Sequence, residues 1–365
     1  MPWESFEVVD RILGRDYNTF LGNIRRSYLA YAKDESIRKG AASGGVVSAI
    51  LIQLLKEKFI DGALVCRGKI ENGKIGYEVF IATNRREILS CSTSKYFDIP
   101  MLEGVEKIRR FKGKVAVVGL PCQIRVITKL MERDPLLRRK IVLKIGLFCG
   151  HVSEKELMER VLREKGIFLK DVKELYFRRG HWRGETWVLL KDGKRKTFPF
   201  NHFGLYQNLF FFSKEKCFHC YDHTSELADI SCGDAWLWNL KKRKMKYSVI
   251  CCRNEKAEEV IDGMIENGVL HAEEIPEKTV FESQRRSCIF QKSINARAEV
   301  GKFFGMKIGK HSDAPKPRPH DYLANLIVLA NYKLTTSELG KNTVLSVPRK
   351  IWYPYLLFFK LLSNF

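Results

Sequence analysis

The sequence lacks any uninterrupted apolar run of the roughly 18 residues that a membrane-spanning helix needs. Its first twenty residues mix acids with apolar positions, so we expect no signal peptide. Low-complexity tracts and clear internal repeats are missing as well. These absences predict a folded cytoplasmic protein whose ten cysteines stay reduced, where thiols serve metal or redox chemistry more often than disulfides.

Negative charge is scarce relative to positive charge. The 365 residues contain 64 Lys and Arg against 42 Asp and Glu, a net charge of +22. This balance suits nucleic acid, an anionic membrane surface, or a polyanionic cofactor or partner. A host that simply prefers lysine on protein surfaces is the alternative. Nucleic acid is the least favoured partner, because buried strands and glycine loops outweigh any stripe of basic and aromatic residues.

Four cysteines are spaced as metal ligands would be. Cys122 and Cys149 each follow an apolar run that predicts a strand, and Cys217 and Cys220 form a CxxC pair. The pattern over 114–165 predicts strand, helix, strand, helix, a crossover that makes the two strands parallel and brings their carboxyl ends to one edge of the sheet. We therefore expect the four thiols to converge, and four thiolates suit an iron–sulfur cluster.

Zinc is the alternative occupant, because His219 and His223 lie close to the CxxC pair in sequence. Simple zinc modules take their ligands from a compact stretch, whereas the pair lies far beyond Cys149 in the chain, which favours a cluster. Cys232 is a reserve ligand. The adjacent Cys251 and Cys252 lie in a predicted strand and are interpreted as core residues.

A loop of small residues runs directly into a predicted helix. Ser43, Gly44 and Gly45 precede the apolar pattern of that helix, and their backbone N–H groups could hold a phosphate. Ordinary turn chemistry explains the same glycines equally simply.

Two further segments offer polar groups that suit a flavin. Asp229 and Asp234 lie on either side of Gly233, and their carboxylates could bind sugar hydroxyls, cap a helix or pair with lysine. Lys95, within Ser94–Tyr96, could reach a phosphate or polarise a flavin ring, or it could be a solvated surface lysine.

The remaining patterns predict an α/β fold in which helices flank a mixed sheet, with antiparallel strands between Val172 and Phe200. Ser153 and Glu156 form a capping-box pattern at a helix start. The predicted domains are a lead-in at 1–38, a core at 39–295, a Pro-rich linker at 296–320, and a basic amphipathic, helical extension at 321–365. That extension could lie on a membrane surface, dock on a partner subunit, or pack on its own domain.

Five segments, taken in order, resemble one protein family, the beta subunit of coenzyme F420-reducing hydrogenases and dehydrogenases. The resemblance covers about residues 25–295 of this chain. The segments are Lys39–Ile50, Ser94–Tyr96, Gly119–Gln123, Leu147–Gly150 and Cys217–Trp236.

The resemblance implies FAD, one [4Fe–4S] cluster on Cys122, Cys149, Cys217 and Cys220, and coenzyme F420 as substrate. Coenzyme F420 is a deazaflavin that carries electrons as hydride. The resemblance implies that FAD converts this hydride into single electrons, which pass to the cluster and then to a partner subunit or membrane acceptor. No cysteine precedes Cys66, so a single cluster is expected. Lys95 is the expected catalytic residue, because it would tune the flavin. The implied flavin contacts are Ser43, Gly44, Gly45, Ser94, Lys95, Tyr96, Pro121, Asp229, Gly233 and Asp234.

Relatives on the same scaffold reduce other substrates, so a flavin and iron–sulfur reductase that does not use F420 is the alternative. A zinc-bearing, basic nucleic-acid-binding protein is the remote alternative.

Overall fold

The computed structural model describes residues 9–243 and 245–364. The first eight residues of the predicted lead-in lie outside the described residues. Within the described part of the chain, eleven strands form one eight-stranded sheet and one three-stranded sheet. The strands are β1 Arg26–Ala32, β2 Gly62–Glu71, β3 Lys74–Ala82, β4 Val115–Gly119, β5 Ile141–Leu147, β6 Val172–Arg179, β7 Glu185–Leu190, β8 Arg195–Pro199, β9 Ile230–Asp234, β10 Ser248–Cys252 and β11 Leu270–Glu274.

Helices cover both faces of the large sheet and form most of the C-terminal part. The α-helices are Tyr17–Leu21, Glu35–Gly40, Val46–Lys56, Arg85–Ser90, Val105–Arg110, Pro121–Arg133, Pro135–Lys140, Lys155–Glu164, Asn201–Asn208, Glu255–Glu266, Glu277–Lys292, Ile294–Phe303, Pro319–Leu334, Glu338–Ser346 and Arg349–Leu362.

The large sheet is mixed, as predicted. Its strand order is β11-β1-β10-β9-β5-β4-β2-β3. The central strands β2, β4, β5 and β9 run parallel, and the outer pairs are antiparallel. The carboxyl ends of β4, β5 and β9 therefore open on the same edge, where ligands bind in open α/β sheets.

Alternation along the strands separates two faces of the core. In β10, Val249 and Cys251 pack toward the helix Glu277–Lys292, whereas Ile250 and Cys252 pack toward the helix Glu255–Glu266. Both cysteines are completely buried, which confirms the interpretation of them as core residues.

The stretch predicted to be antiparallel folds as the meander β6-β7-β8, which confirms that prediction. The loop between β6 and β7, residues 180–184, contains His181, Trp182 and Arg183. His181 and Trp182 line one cavity of the protein, and Arg183 lines another.

The capping-box prediction was wrong. The helix begins at Lys155 with Glu154 at its N-cap, and no side chain caps it. Ser153 instead forms β-bridges with Phe97 and Ser213, and its N–H donates to the carbonyl oxygen of Tyr96 at 2.8 Å. Bridging by tertiary partners thus outweighs the local capping signal.

The C-terminal helices pack on the rest of the chain. Val328 and Leu329 are fully buried, and the ring of Phe359 lies 6.1 Å from that of Phe210. The predicted linker at 296–320 contains most of the helix Ile294–Phe303. In that helix the buried Arg297 donates to the carbonyl oxygens of Phe218 and Cys220. Among the described residues, no helix combines the length and apolar character needed to cross a bilayer.

Candidate functional site

The structure brings together the four cysteines selected as ligands. Cys122 lies at the start of the helix that follows β4, and Cys149 lies two residues beyond β5. Cys217 is in the short 3-10 helix Glu215–His219, and Cys220 follows it directly. Burial first, and then the charges of Cys217, Cys220 and Cys122, raise the pKa of the Cys149 thiol well above its usual value. The four thiols therefore lie within electrostatic range of one another.

Backbone pairing explains how the CxxC pair reaches the end of β5. The N–H of Lys214 donates to the carbonyl oxygen of Val152 at 3.1 Å, and the N–H of Glu154 donates to that of Phe212 at 2.7 Å. The chain beyond β5 is thus paired with the chain that leads into the CxxC. In addition, the N–H of Val152 donates to Cys217 Sγ at 3.4 Å.

The thiols lie in surroundings that disfavour a bare thiolate. Burial raises the pKa of Cys217 to about 12 and that of Cys220 to about 11. A bound metal would lower these pKa values, because a thiol that coordinates a metal is deprotonated. Two buried hydroxyl oxygens, Ser153 Oγ and Ser213 Oγ, lie close to the four cysteines in sequence and have no hydrogen-bond partner. Both hydroxyls are therefore available to bind a further polar group.

Within the described residues, no group of three or more His, Cys, Asp and Glu side chains is arranged to hold a single metal ion. A four-iron cluster makes a different demand, because each thiolate binds a separate iron at a corner of a larger body. The thiol chemistry and the mutual proximity fit such a cluster better than one zinc ion. His219 is exposed, and the ring of His223 is hydrogen-bonded to Gln284 at 3.1 Å.

Cys232, the reserve ligand, lies apart from this group. It is buried in β9, and the ionisation of its thiol is opposed by burial and then by Cys251 and Cys252 on β10. Its side chain belongs to the core beneath the helix Glu255–Glu266.

A cleft of about 310 Å³ opens near the end of β9. It contains two of the predicted flavin residues, Ser43 and Asp234. Its lining residues are Ala42, Ser43, His181, Trp182, Asp234, Ala235, Trp236, Leu240, Met245, Lys246 and Tyr247. Aromatic walls with a few convergent polar groups are typical of a cofactor site.

A buried ion pair forms the charged end of the cleft. Arg178 Nη2 donates to Asp234 Oδ1 at 2.6 Å, to Asp234 Oδ2 at 2.8 Å and to the carbonyl oxygen of Ala42 at 3.0 Å. The guanidinium lies 5.0 Å from the ring centroid of Trp236. Burial opposes the charge, but the Asp234 carboxylate raises the pKa of Arg178 overall. Asp234 is thus engaged with an arginine that the sequence did not single out.

The small-residue loop is held tightly against the sheet. Ser43 Oγ lies 2.8 Å from Ser248 Oγ, and the N–H of Gly44 donates to Ser248 Oγ at 3.0 Å. A Cβ on Gly44 would lie 2.6 Å from the carbonyl oxygen of Ala30, so only glycine fits there. Gly45 has φ +77° and precedes the helix Val46–Lys56, whose predicted start is confirmed.

Ser94–Tyr96 splits between two environments. Lys95 Nζ donates to the carbonyl oxygens of Cys91, Ser92 and Thr93, which turns the ammonium back onto its own loop. The ring of Tyr96 packs 5.1 Å from that of Phe200. Burial raises the pKa of Tyr96, while Arg178 lowers it and Asp234 raises it. Tyr96, rather than Lys95, is therefore the residue of this segment that lies near the ion pair.

Three of the predicted flavin residues make contacts that stabilise the fold itself, namely Asp229, Gly233 and Pro121. The carboxylate of Asp229 accepts from the N–H of Lys144 at 2.7 Å and from Asn254 Nδ2 at 2.8 Å, so both oxygens join neighbouring segments. A Cβ on Gly233 would lie 2.0 Å from the ring of Phe148, so the glycine lets that ring pack on β9. Pro121 occupies the first turn of its helix, where its missing N–H costs nothing.

Hydrogen bonds join the cleft to the thiols. Gln284 Nε2 donates to the carbonyl oxygen of Asp234 at 2.5 Å, and its Oε1 lies 3.1 Å from His223 Nε2. The carbonyl oxygen of His223 accepts from the N–H of Cys149 at 2.9 Å. Three hydrogen bonds in series therefore link the end of β9 to the end of β5.

Sequence reasoning did not name Arg178, Lys246, Gln284 or Trp236 as members of the site. Burial and then Arg178 lower the pKa of Lys246 to about 8. Only Trp236 carried a usable signal, since it ends one of the segments that carry the family resemblance. The other three lie on β6, on the loop before β10 and on a late helix, and only folding brings them together.

The fold and the site together define a class: an α/β protein with a four-thiol group and an aromatic, cationic cleft at one sheet edge. The family model for the N-terminal part of the coenzyme F420 hydrogenase/dehydrogenase beta subunit matches residues 27–106, and the model for its C-terminal part matches residues 112–278. The chain is 32% identical over 265 residues to the coenzyme F420 hydrogenase subunit beta of Methanococcus voltae, covering 70% of this chain and 86% of that protein. It belongs to this family, which confirms the resemblance.

Other similarities extend the comparison. The coenzyme F420 hydrogenase subunit beta of Methanosarcina barkeri is 29% identical over 60% of this chain and 74% of that protein. The coenzyme F420-dependent sulfite reductase of Methanocaldococcus jannaschii is 27% identical over 84% of this chain, which spans about half of that protein, 48%. A chain from the F420-reducing [NiFe] hydrogenase complex of Methanosarcina barkeri has the same fold, with a TM-score of 0.61, 23% identity, and coverage of 82% of this chain and 98% of that one.

Proposed function

We propose that this protein is a coenzyme F420-dependent oxidoreductase that binds FAD in the cleft and one [4Fe–4S] cluster on Cys122, Cys149, Cys217 and Cys220. The observation that carries the proposal is the convergence of these four thiols beside a cleft to which hydrogen bonds connect them. Family membership supports F420 as the substrate, because relatives are named for it.

In this proposal, bound FAD supplies the exchange between hydride and single electrons. The residues of the chain bind and shield it. Trp182 and Trp236, whose rings meet edge to face at 5.5 Å, form an apolar wall that excludes water. The Arg178 charge is offset by Asp234, so Lys246 supplies the positive charge of the cleft, which favours phosphate groups or a ring system that gains negative charge.

Asp234 orients the Arg178 guanidinium and Ser248 fixes Ser43, so the polar groups are positioned before a ligand arrives. Tyr96 remains a candidate flavin contact, because its pKa responds to both members of the ion pair. Lys95 is proposed to tune the flavin from its own loop, where its ammonium lies near the thiols of Cys66 and Cys91. No side chain is assigned as nucleophile or general acid.

At the thiol site, Cys149, Cys217 and Cys220 are partly buried and Cys122 is exposed, and backbone pairing around Val152 and Lys214 positions the ligands before a metal binds. Gln284 and His223 hold the ends of β9 and β5 in register, and thereby hold the two cofactor sites at a constant separation. The partner is proposed to be another protein subunit, because relatives are named as subunits. Cytoplasmic localisation, with peripheral membrane contact through the extension, remains part of the proposal.

The first test is a visible spectrum of anaerobically purified protein, with iron, sulfide, zinc and flavin assayed on the same sample. Flavin bands over a broad iron–sulfur shoulder, with about four irons per chain, are the expected result. Reduced F420 should then bleach the flavin in a stopped-flow experiment. Zinc in a colourless protein would overturn both cofactors, whereas an unbleached flavin would overturn F420 as substrate and favour a reductase with another substrate.

A further inference from the structure

A second cavity lies on the other side of the loop 180–184. Including the solvent at its open mouth, its volume is about 550 Å³, and it opens between the helix Asn201–Asn208 and the C-terminal helix Arg349–Leu362. It is lined by Arg183, Asn201, Gly204, Leu205, Asn208, Tyr353, Leu356, Leu357 and Lys360. Among these described residues, the charged side chains are both cations, and no carboxylate lines the cavity.

A third cation, Arg286, lies close to Arg183 and Lys360. Burial lowers the pKa of Lys360 to about 7, with further contributions from Arg286 and Arg183. Burial and Arg183 lower the pKa of Arg286 to about 10. The groups that face Lys360 electrostatically are thus two arginines, and within the described part of the chain no hydrogen bond or ion pair joins any of the three side chains to a carboxylate.

Two cations that line the cavity and a third close to them repel one another, which raises the free energy of the folded chain unless an anion is present. An oxyanion in the cavity would accept charge-assisted hydrogen bonds from guanidinium and ammonium groups, which are among the strong hydrogen bonds of proteins. Asn201 adds an amide to the lining. Exposed arginine and lysine on an open surface would instead repel one another little, because solvent screens them.

The cavity combines the family fold with a part of the chain beyond it. Arg183 and Asn201 lie within the family match, which ends at residue 278, whereas Arg286 and Lys360 lie after it. The cavity also adjoins the cleft, because His181 and Trp182 line the cleft and Arg183 lines the cavity. A ligand here is therefore held in part by residues that the family description does not cover.

We propose that this cavity binds an oxyanion, of the phosphate, sulfate or carboxylate type, between the lining residues Arg183 and Lys360, with Arg286 adding positive charge from close by. The site goes beyond the proposed function, and only the second of the two anion sources named next rests on it. The oxyanion is either a free small anion or the anionic end of a larger ligand whose ring lies in the cleft. Binding holds the proton on Lys360, so the affinity falls as the pH rises through about 7.

The test is calorimetric titration of the full chain with sodium sulfate, at an ionic strength held constant with chloride. Sulfate is the probe because it stays a dianion across the pH range used. We expect Lys360→Met and Arg183→Gln each to weaken sulfate binding about tenfold or more, the usual effect of losing a hydrogen bond to a charged group. Lys350→Met, an exposed change on the same C-terminal helix, is the matched control and should leave the affinity unchanged.

A second readout separates this role from a structural one. At pH 8 sulfate binding should take up protons, seen as a binding heat that depends on the buffer, and Lys360→Met should abolish that uptake. Titration in the presence of ADP identifies the source of the anion: blocked sulfate binding indicates the end of a larger ligand, and unchanged binding indicates a free anion. Absence of saturable binding, or equal weakening by Lys350→Met, would overturn the proposal.

Discussion

Asp234→Asn is the sharpest test of the site's electrostatics. The Arg178 side chain is 2% exposed and that of Asp234 is 25% exposed, and they lie 2.6 Å apart. The substitution leaves a buried guanidinium opposite a neutral amide. Removing one member of a fully buried pair costs about 3–5 kcal/mol. Because water reaches Asp234 in part, we expect a loss of about 2–3 kcal/mol in the free energy of unfolding.

The assay is urea unfolding of the full chain without added FAD, because variants of the cleft would differ in FAD affinity and bound FAD would stabilise each by a different amount. The matched control is Glu78→Gln on the β2–β3 hairpin. Its pair with Arg67 is equally short, 2.7 Å, but the side chains are 39% and 36% exposed. Screening by solvent limits the cost there to about 0–1 kcal/mol.

Two results would refute the reasoning. One is a loss below about 1 kcal/mol for Asp234→Asn, which would place the pair with surface ion pairs. The other concerns the double variant Arg178→Met with Asp234→Asn. It should be more stable than the sum of the single losses predicts, because it leaves no uncompensated charge. Strict additivity would mean that the two residues do not interact.

Three further predictions follow from the site. Cys217→Ser should lose most of the roughly four irons per chain while Cys91→Ser, outside the four-thiol group, retains them; equal iron in both would contradict the ligand assignment. Gly44→Ala should destabilise by about 1–3 kcal/mol through overpacking and lower the flavin content, whereas Gly263→Ala, in an open helical position, should stabilise by about 0.5–1 kcal/mol. Folding lowers the pKa of Lys246 to about 8, so between pH 8 and about 10.5 the unfolded chain binds more protons at this residue than the folded chain does. The free energy of unfolding of the wild type should therefore rise over that pH range relative to that of Lys246→Met. Parallel pH profiles of the two proteins would contradict the burial of the charge.

Local pattern and family resemblance predicted a good part of the architecture. The crossover over 114–165 fixed the parallel direction of β4 and β5, because a short connection through a helix leaves little alternative. The helix that begins at Val46 and the antiparallel strands between Val172 and Phe200 are confirmed for similar local reasons. The Ser153 cap failed because its backbone is bridged to Phe97 and Ser213, and a tertiary bridge leaves no sequence signal.

The sequence by itself determined the four cysteines and their order along the chain. A thiol after each of two parallel strands must reach the same sheet edge, whatever the rest of the chain does. The order of residues also placed a glycine loop directly before the helix that begins at Val46. The contacts that require glycine, with Ser248 at Gly44 and with Phe148 at Gly233, are tertiary and appear only in the folded chain.

Only the tertiary structure decided which charges face one another. Arg178 meets Asp234, Lys95 donates to carbonyl oxygens of its own loop, and Arg286 lies close to Arg183 and Lys360, which line a second cavity. These partners are separated by tens to more than a hundred residues, and a charge interacts over distances that sequence spacing does not reveal. Packing of β6, β9 and the C-terminal helices sets those distances, so the electrostatics of both cavities became visible only in the folded chain.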